Sequence, residues 1–355
     1  MFLARRDFLY LVALSGAGAG LPLLAGCGST GWTTWQAVGL PRAHFFDNAL
    51  VFFDSHTAFL GGSLDERERK ACLFRSDDGG RSWRRLPLPE SRLEVTHIAG
   101  HGQEIVVSLG ITHKPSALLR SRDGGESWTQ ILGPEAGVSM PKSASLSMDA
   151  SGLLRVAAFR LTPPNVPVLL LREPGGTWEN TCMPERSRLS VCDHSSLFLP
   201  INADGYHTEA VYLEGGPSYP LPFPMALRTD RAPGADRSWW LCGWDWTNNR
   251  PGPLRVVHLT PEGCRPTDFI LPHECLPSVF TGHGKTFCLS AITSASIFGA
   301  SHVLYISRDS GATQRQTAPS FTLIMEPAFQ YKDDFYIISQ ATGSFARLTF
   351  GVLDR

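Results

Sequence analysis

The chain has no surplus of either charge. Its 32 Lys and Arg stand against 33 Asp and Glu, so neither nucleic acid nor an anionic membrane surface is indicated as a partner held by charge. No CxxC spacing occurs, which leaves a cysteine-based metal site without support. A Gly-rich phosphate loop, a nucleophile elbow and an assignable carboxylate pair are also missing, and no cofactor is indicated. After residue 30 there is no long stretch of helical periodicity. What the chain has instead is 34 Gly, 26 Pro and 10% aromatic residues, the make-up of many short strands joined by tight turns.

Two segments are nearly copies of each other. Leu73-Phe74-Arg75 leads into Ser76-Asp77-Asp78-Gly79-Gly80-Arg81-Ser82-Trp83, and Leu118-Leu119-Arg120 leads into Ser121-Arg122-Asp123-Gly124-Gly125-Glu126-Ser127-Trp128. A third, from Leu304 to Gln314, keeps Ser307, Asp309 and Gly311 but has Gln314 where Trp is expected. In such a pattern a strand delivers the chain to a turn. There a short acidic side chain accepts backbone N–H groups, Gly permits positive φ, and the Trp on the returning strand covers apolar surface. The Asp is therefore structural and a poor candidate for catalysis.

Weaker copies fall into the same register. Val168–Arg172 precedes Gly175, Gly176 and Trp178; Ala210–Glu214 precedes Gly216 and Tyr219; Leu254–Leu259 precedes Gly263 and Pro266. Taking Trp35, Trp83, Trp128, Trp178, Tyr219, Pro266 and Gln314 as equivalent gives spacings of 48, 45, 50, 41, 47 and 48, a period that belongs to propeller blades of four strands. Glu104–Leu109, Trp239–Trp244, Lys285–Ser290 and Phe335–Ser339 occupy one common slot in this register. The expected fold is all-β: a seven-bladed β-propeller of four-stranded antiparallel blades. Six or eight blades stay open, because the fourth to sixth repeats are matched by strand pattern alone. Thr33–Val38 reads as a strand that follows a corner, and Ser344–Phe350 as one that precedes a corner. Together they should close the ring and leave no open sheet edge.

The corner segments resemble the Asp-box, or bacterial neuraminidase repeat. The order of apolar strand, turn, Gly-Gly, strand and box, seen from Ala49 to Trp83, is similar to the photosystem II stability/assembly-factor-like propellers. That resemblance implies a protein-binding assembly or stability factor. The same boxes occur in sialidases, which resemble one another also in an early Arg-Ile-Pro motif and a three-arginine cluster. The early arginine here, in Pro41-Arg42-Ala43-His44, lacks that motif.

At the head of the chain, Arg5-Arg6-Asp7-Phe8-Leu9, the apolar run to Leu24 and Leu24-Ala25-Gly26-Cys27 resemble a twin-arginine signal peptide ending in a lipobox. The resemblance implies export, cleavage before Cys27, and lipidation of Cys27. Gly28 and Ser29 lack the acidic residue associated with inner-membrane retention, which favours the outer membrane in a two-membrane cell. The expected organisation is a signal peptide over 1–26, a short lipidated tether over 27–31 and one propeller domain over 32–355.

Seven further cysteines follow Cys27. In an exported chain, Cys182 with Cys192 and Cys264 with Cys275 are the closest in sequence and the best disulfide guesses, against the alternative that most are small buried apolar residues. The aromatic cluster Trp239-Trp240-Leu241-Cys242-Gly243-Trp244-Asp245-Trp246 offers candidate binding residues. Strand alternation puts Trp240, Trp244 and Trp246 on one face, where they could stack on sugar rings or anchor a partner, or fill the wedge between blades. His97, Asp193, His194, Arg228, Asp230 and Glu326 fall on innermost strands in this register and would line a channel. The sequence reading is thus a monomeric, lipid-anchored, extracytoplasmic propeller that binds another protein. A glycan-binding or glycan-cleaving propeller is the alternative.

Overall fold

The structure, a computed structural model, describes residues 33–353 with gaps, of which the longest are 230–237, 310–314, 318–324 and 340–346. Apart from one 3-10 turn at Pro134–Ala136, the described elements are strands. First is β1 (Thr33–Gly39), followed by one antiparallel run of β2 (His44–Phe52), β3 (Ala58–Ser63), β4 (Ala71–Ser76) and β5 (Arg84–Leu86). The next run is β6 (Glu94–His101), β7 (Glu104–Gly110), β8 (Ala117–Ser121) and β9 (Thr129–Leu132). In the third, β10 (Val138–Ser139) and β11 (Ser145–Met148) both pair with β12 (Leu154–Arg160), which continues to β13 (Val166–Arg172) and β14 (Glu179–Cys182). Pro141, which has no N–H to offer a ladder, sits where this innermost strand is interrupted.

The fourth sheet has seven strands: β15 (Ser187–Val191), β16 (Ser196–Pro200), β17 (Thr208–Leu213), β18 (Ser218–Thr229), β19 (Trp239–Asp245), β20 (Leu254–Thr260) and β21 (Gly263–Leu271). Here β18 serves twice. Its first half pairs with β17 through Ser218, Tyr219 and Pro220, and its second half pairs with β19 through Met225, Ala226 and Leu227. Two four-stranded sheets follow. One is β22 (Leu276–His283), β23 (Thr286–Ser296), β24 (Gly299–Ser307) and β25 (Arg315–Thr317); the other is β26 (Met325–Tyr331), β27 (Asp334–Ser339), β28 (Arg347–Leu353) and β1. Sheet continuity thus gives six sheets, and four-strand units that share β18 give seven.

The ring closes as the sequence implies. β1 lies antiparallel to β28 from Thr33 opposite Leu353 to Gly39 opposite Arg347. Innermost strands touch in succession, β2 on β6, β6 on β11, β11 on β15, β18 on β22, β22 on β26 and β26 back on β2. The four segments assigned to a common slot by sequence become β7, β19, β23 and β27, each the second strand of its unit.

Burial falls from the middle of each unit toward the rim. In β7, Ile105–Gly110 are all buried, whereas all four residues of the outer strand β14 are exposed. Middle strands read as continuous apolar runs because neighbouring units cover both of their faces. One wedge joins Phe59, Leu73 and Leu86 to Val95, Ile105 and Val107 of the next unit. Another joins Leu197, Leu199 and Val211 to Trp239, Leu241 and Val257. Fit in these wedges is close: a Cβ on Gly61 would stand 2.3 Å from Val95 Cγ1, so β3 and β6 can approach only with glycine there.

A four-stranded meander sorts its connections by end. The first and third turns of each unit lie on one face of the ring, called here the corner face. The second turns and the crossings from unit to unit lie on the other, the crossing face.

The seven described cysteines are free thiols, which corrects the disulfide guesses. Cys182 is exposed on outer strand β14 while Cys192 is buried against Leu197 and Leu199. Cys264 packs in the wedge with Trp239, and Cys275 packs in the next one with Phe280. Members of each guessed pair therefore face different apolar environments. Burial pushes the Cys72 thiol up to about 12 and Cys264 up to about 11, so these thiols carry little of the nucleophilic thiolate at neutral pH.

Candidate functional site

The two near-identical corners form the same bonds. Ser76 Oγ accepts from the Gly80 N–H at 2.7 Å and donates to Asp78 at 2.8 Å, and Ser121 Oγ does so with Gly125 at 2.8 Å and Asp123 at 2.7 Å. Asp78 accepts the Ser82 N–H and hydroxyl at 2.8 and 2.6 Å, as Asp123 accepts those of Ser127 at 2.9 and 2.5 Å. Gly80 and Gly125 hold φ of 88° and 99°, a region in which a side chain would be strained. The ring N–H of Trp83 bonds the Gly80 carbonyl at 2.9 Å, and that of Trp128 bonds Gly125 at 3.1 Å. Each corner is also pinned to the first turn of its own unit, through Gly79 N–H to His56 O at 2.7 Å and Gly124 N–H to Gln103 O at 2.9 Å. In the third copy Ser307 Oγ donates to Asp309 at 2.9 Å, while Gly311 and Gln314 lie outside the described residues.

The tryptophans also tie unit to unit. Trp128 Nε1 donates to Pro87 O at 2.8 Å, and Trp178 Nε1 to Ile131 O at 2.9 Å, in each case reaching the outer strand of the preceding unit or its end. Trp178 does this although its corner is one residue short.

The corner aspartates are occupied. Partial burial pulls the Asp78 carboxyl upward, but the Ser82 hydroxyl and N–H and the Ser76 hydroxyl outweigh it and hold the group at about 2. Asp123 is held well below the usual carboxylate range, chiefly by the Ser127 hydroxyl and N–H. A depressed folded-state pKa means that the contribution is complete above the unfolded value near ~4 and is lost as pH falls through the folded one. Asp78→Ala should therefore cost about 1 kcal/mol, the size of a lost helix-capping carboxylate. The difference from the parent should be full at pH 6 and shrink toward pH 2. Urea unfolding across that range reads it, and a gap that widens toward acid would contradict it.

The tryptophan cluster divides between wedges. Trp239 and Leu241 face the preceding unit, while Trp240, Cys242 and Trp244 face the next one. Trp240 is 0% exposed, stacked on His258 at 4.1 Å and 13°, and touches Phe287 with ring centres 5.1 Å apart. No sugar or partner can reach it, so its candidacy as a binding residue is corrected to a core role. Trp244 is half-buried at the margin of that wedge. Alternation stops at Asp245: Trp246 lies beyond the strand and stacks on His207, of the preceding unit, at 6.3 Å and 19°.

Around Trp246 several segments converge on the crossing face. Its N–H donates to Pro224 O at 2.8 Å, which fixes the turn after β19 to the middle of β18. Asp245 accepts the Thr247 N–H and hydroxyl at 3.0 and 2.5 Å and pairs with Arg255 at 3.3 Å. The Arg255 guanidinium lies 5.0 Å over the Phe223 ring, a cation–π contact. His207 reaches Asn202 at 2.9 Å and Glu209 at 3.5 Å. This is a half-exposed aromatic and ionic patch rather than a proton-transfer array. Among the described residues no group of three His, Cys, Asp or Glu could hold a metal ion.

No family model matches the chain, and no curated protein matches it in sequence. Solved structures do match in shape. YCF48 bound to D1 peptide aligns with a TM-score of 0.61 and 19% identity over 90% of this chain and 96% of that one. YCF48 from Cyanidioschyzon merolae aligns with a TM-score of 0.58 and 15% identity over 89% and 98%. The polysaccharide lyase Uly1 aligns with a TM-score of 0.56 and 8% identity over 89% and 98%. The chain is a β-propeller. At these identities the likeness is one of fold.

Innermost strands of the propeller are where the sequence placed them: His97 is on β6, Arg228 on β18 and Glu326 on β26. His97 does not open onto a channel, however. It is 1% exposed, with Nδ1 3.0 Å from Thr96 Oγ1 and Nε2 2.9 Å from Ala144 O of the next unit. The side chains of Arg228 and Glu326, and Asp193, His194, Asp230, Arg5, Arg6 and Cys27 entirely, lie outside the described residues.

Sequence reasoning missed the Arg155 network. This buried arginine in β12 binds Asp149 at 3.1 Å and Glu214 at 3.3 Å, and Glu214 also accepts Ser196 Oγ at 2.9 Å. It joins two units and carries no sequence motif. A shallow depression of about 250 Å³ beside the first corner is lined by Arg75, Asp77, Asp78, Ser82, Trp83 and Arg84. Its arginines are engaged with Asp77 and with Glu126 of the next corner.

Proposed function

We propose that the protein is a lipid-anchored, extracytoplasmic β-propeller that binds another protein and acts as an assembly, stability or scaffolding factor without catalysis. The observation that carries this reading is the likeness, over nine-tenths of the chain, to YCF48 bound to D1 peptide, a propeller holding a segment of another protein. The crossing face is suited to such a task, because rigid strands present its loops and Trp246 stands half-exposed among them. The corners at Ser76, Ser121 and Ser307 are read as Asp boxes, structural clasps whose aspartates are consumed by hydrogen bonds. The twin-arginine and lipobox pattern from Arg5 to Cys27 supports export and tethering.

Crosslinking and affinity capture from membranes test the reading. A partner enriched over an unrelated lipid-anchored control should be recovered about tenfold less well with Trp246→Ala, the effect of losing a moderate interface anchor. If nothing is enriched over the control, the reading fails.

One observation favours a second reading. The Trp246–His207 stack at the surface is the kind of aromatic platform on which sugar rings lie, and a polysaccharide lyase shares the fold. Binding to a polysaccharide panel, abolished by Trp244→Ala or Trp246→Ala, would support a glycan-binding propeller. Silence across the panel would set it aside.

A further inference from the structure

The position of β1 fixes which way the propeller faces. β1 is the outermost strand of the closing sheet, and its first residue, Thr33, lies opposite Leu353 at the end of β28. The third strand of every unit ends on the corner face, so Thr33 starts there too. Only five residues, 28–32, separate it from Cys27. Six Cα steps span at most about 20 Å when fully extended.

We propose that the corner face lies against the lipid headgroups and that the crossing face, with Trp246, Arg255 and His273, points away from the membrane. This rests on the lipid-anchored reading above. Lengths decide it. Seven residues of β1 rise about 23 Å from one face to the other. For the crossing face to touch lipid, the tether would have to run back along that whole height, which exceeds its reach. Charge does not set the orientation, because the described corner surface mixes Arg81 and Arg122 with Asp77 and Glu126, all exposed. The same pose should therefore hold on uncharged vesicles. A protein partner would then be met on the side remote from the anchoring bilayer, by a soluble domain or by an extramembrane segment long enough to reach over the propeller.

Spin labels read the orientation. The acylated protein is placed in phosphatidylcholine vesicles that contain a nickel-chelating headgroup lipid. Labels are introduced at Arg81→Cys or Arg122→Cys on the corner face and at Thr247→Cys or His273→Cys on the crossing face. Each is made with Cys182→Ser, which removes the exposed native thiol among the described residues. Two sites per face keep the comparison valid if one variant misfolds. Relaxation enhancement should be several-fold larger at the corner-face labels. Equal or reversed enhancement, in protein that sediments with vesicles and is released by Cys27→Ser, overturns the orientation and leaves the anchor standing. Failure to sediment, or sedimentation unchanged by Cys27→Ser, overturns the anchor and the orientation with it.

Discussion

Deleting residues 33–39 abolishes the cooperative unfolding transition, or lowers its midpoint by more than 10 °C, although the segment is seven residues at one end of the chain. β1 pairs along its full length with β28, and at roughly 1 kcal/mol net per hydrogen bond the ladder is worth several kcal/mol. That is a large share of the ~5–15 kcal/mol that holds a domain together. Its loss also bares β28 as a sheet edge and loosens the sheet that seats β26 between β22 and β2. Trimming residues 28–32 is the control and should leave the midpoint within about 2 °C, as expected where no described strand is touched. Thermal melts followed by circular dichroism, with limited proteolysis, decide the matter. A deletion variant that melts like the parent would mean that the ring does not depend on its closure.

Trp240→Ala should be far more damaging than Trp246→Ala, at about 3–5 kcal/mol. Its ring is sealed between His258 and Phe287, within a wedge that also holds Phe269, Phe280 and Leu289, and nothing nearby can fill the space it leaves. Trp246→Ala, at a half-exposed site, should cost less than about 1 kcal/mol. Urea unfolding separates the two if the slope stays constant and only the midpoint moves. Equal costs at the two sites would contradict the burial difference. The pair also separates folding from binding, since loss of partner capture in folded Trp246→Ala cannot be assigned to the core.

The ring and its clasps were legible because they depend on local chemistry. Serine, aspartate and glycine at fixed offsets can satisfy one turn in one way, and the corners at Ser76 and Ser121 do so with the same bonds. Alternation placed Trp239 and Trp240 on opposite faces correctly, since both lie within β19. It failed at Trp246, one residue beyond the strand. Burial was legible only in part: a middle strand in a wedge and a strand facing solvent can both carry tryptophan, so Trp240 read as a candidate binding residue. His97 and the thiols failed for a related reason. What surrounds them comes from other strands or other units, far away in sequence. β18 carries no strand signal in the sequence, because Pro220, Pro222 and Pro224 lie within it. The strand tolerates them because its pairing partners change across that stretch.

That shared strand makes the circle uneven. Most neighbouring petals meet at seams where side chains touch and the ladder stops, and such seams can slide or gape a little. Between β17 and β19 the backbone runs on without a seam, so two petals form one stiff arc. Trp246 is bonded to the middle of that arc at Pro224. A visitor arriving there meets a platform already held in shape, and gives up little of its binding energy to hold the host still.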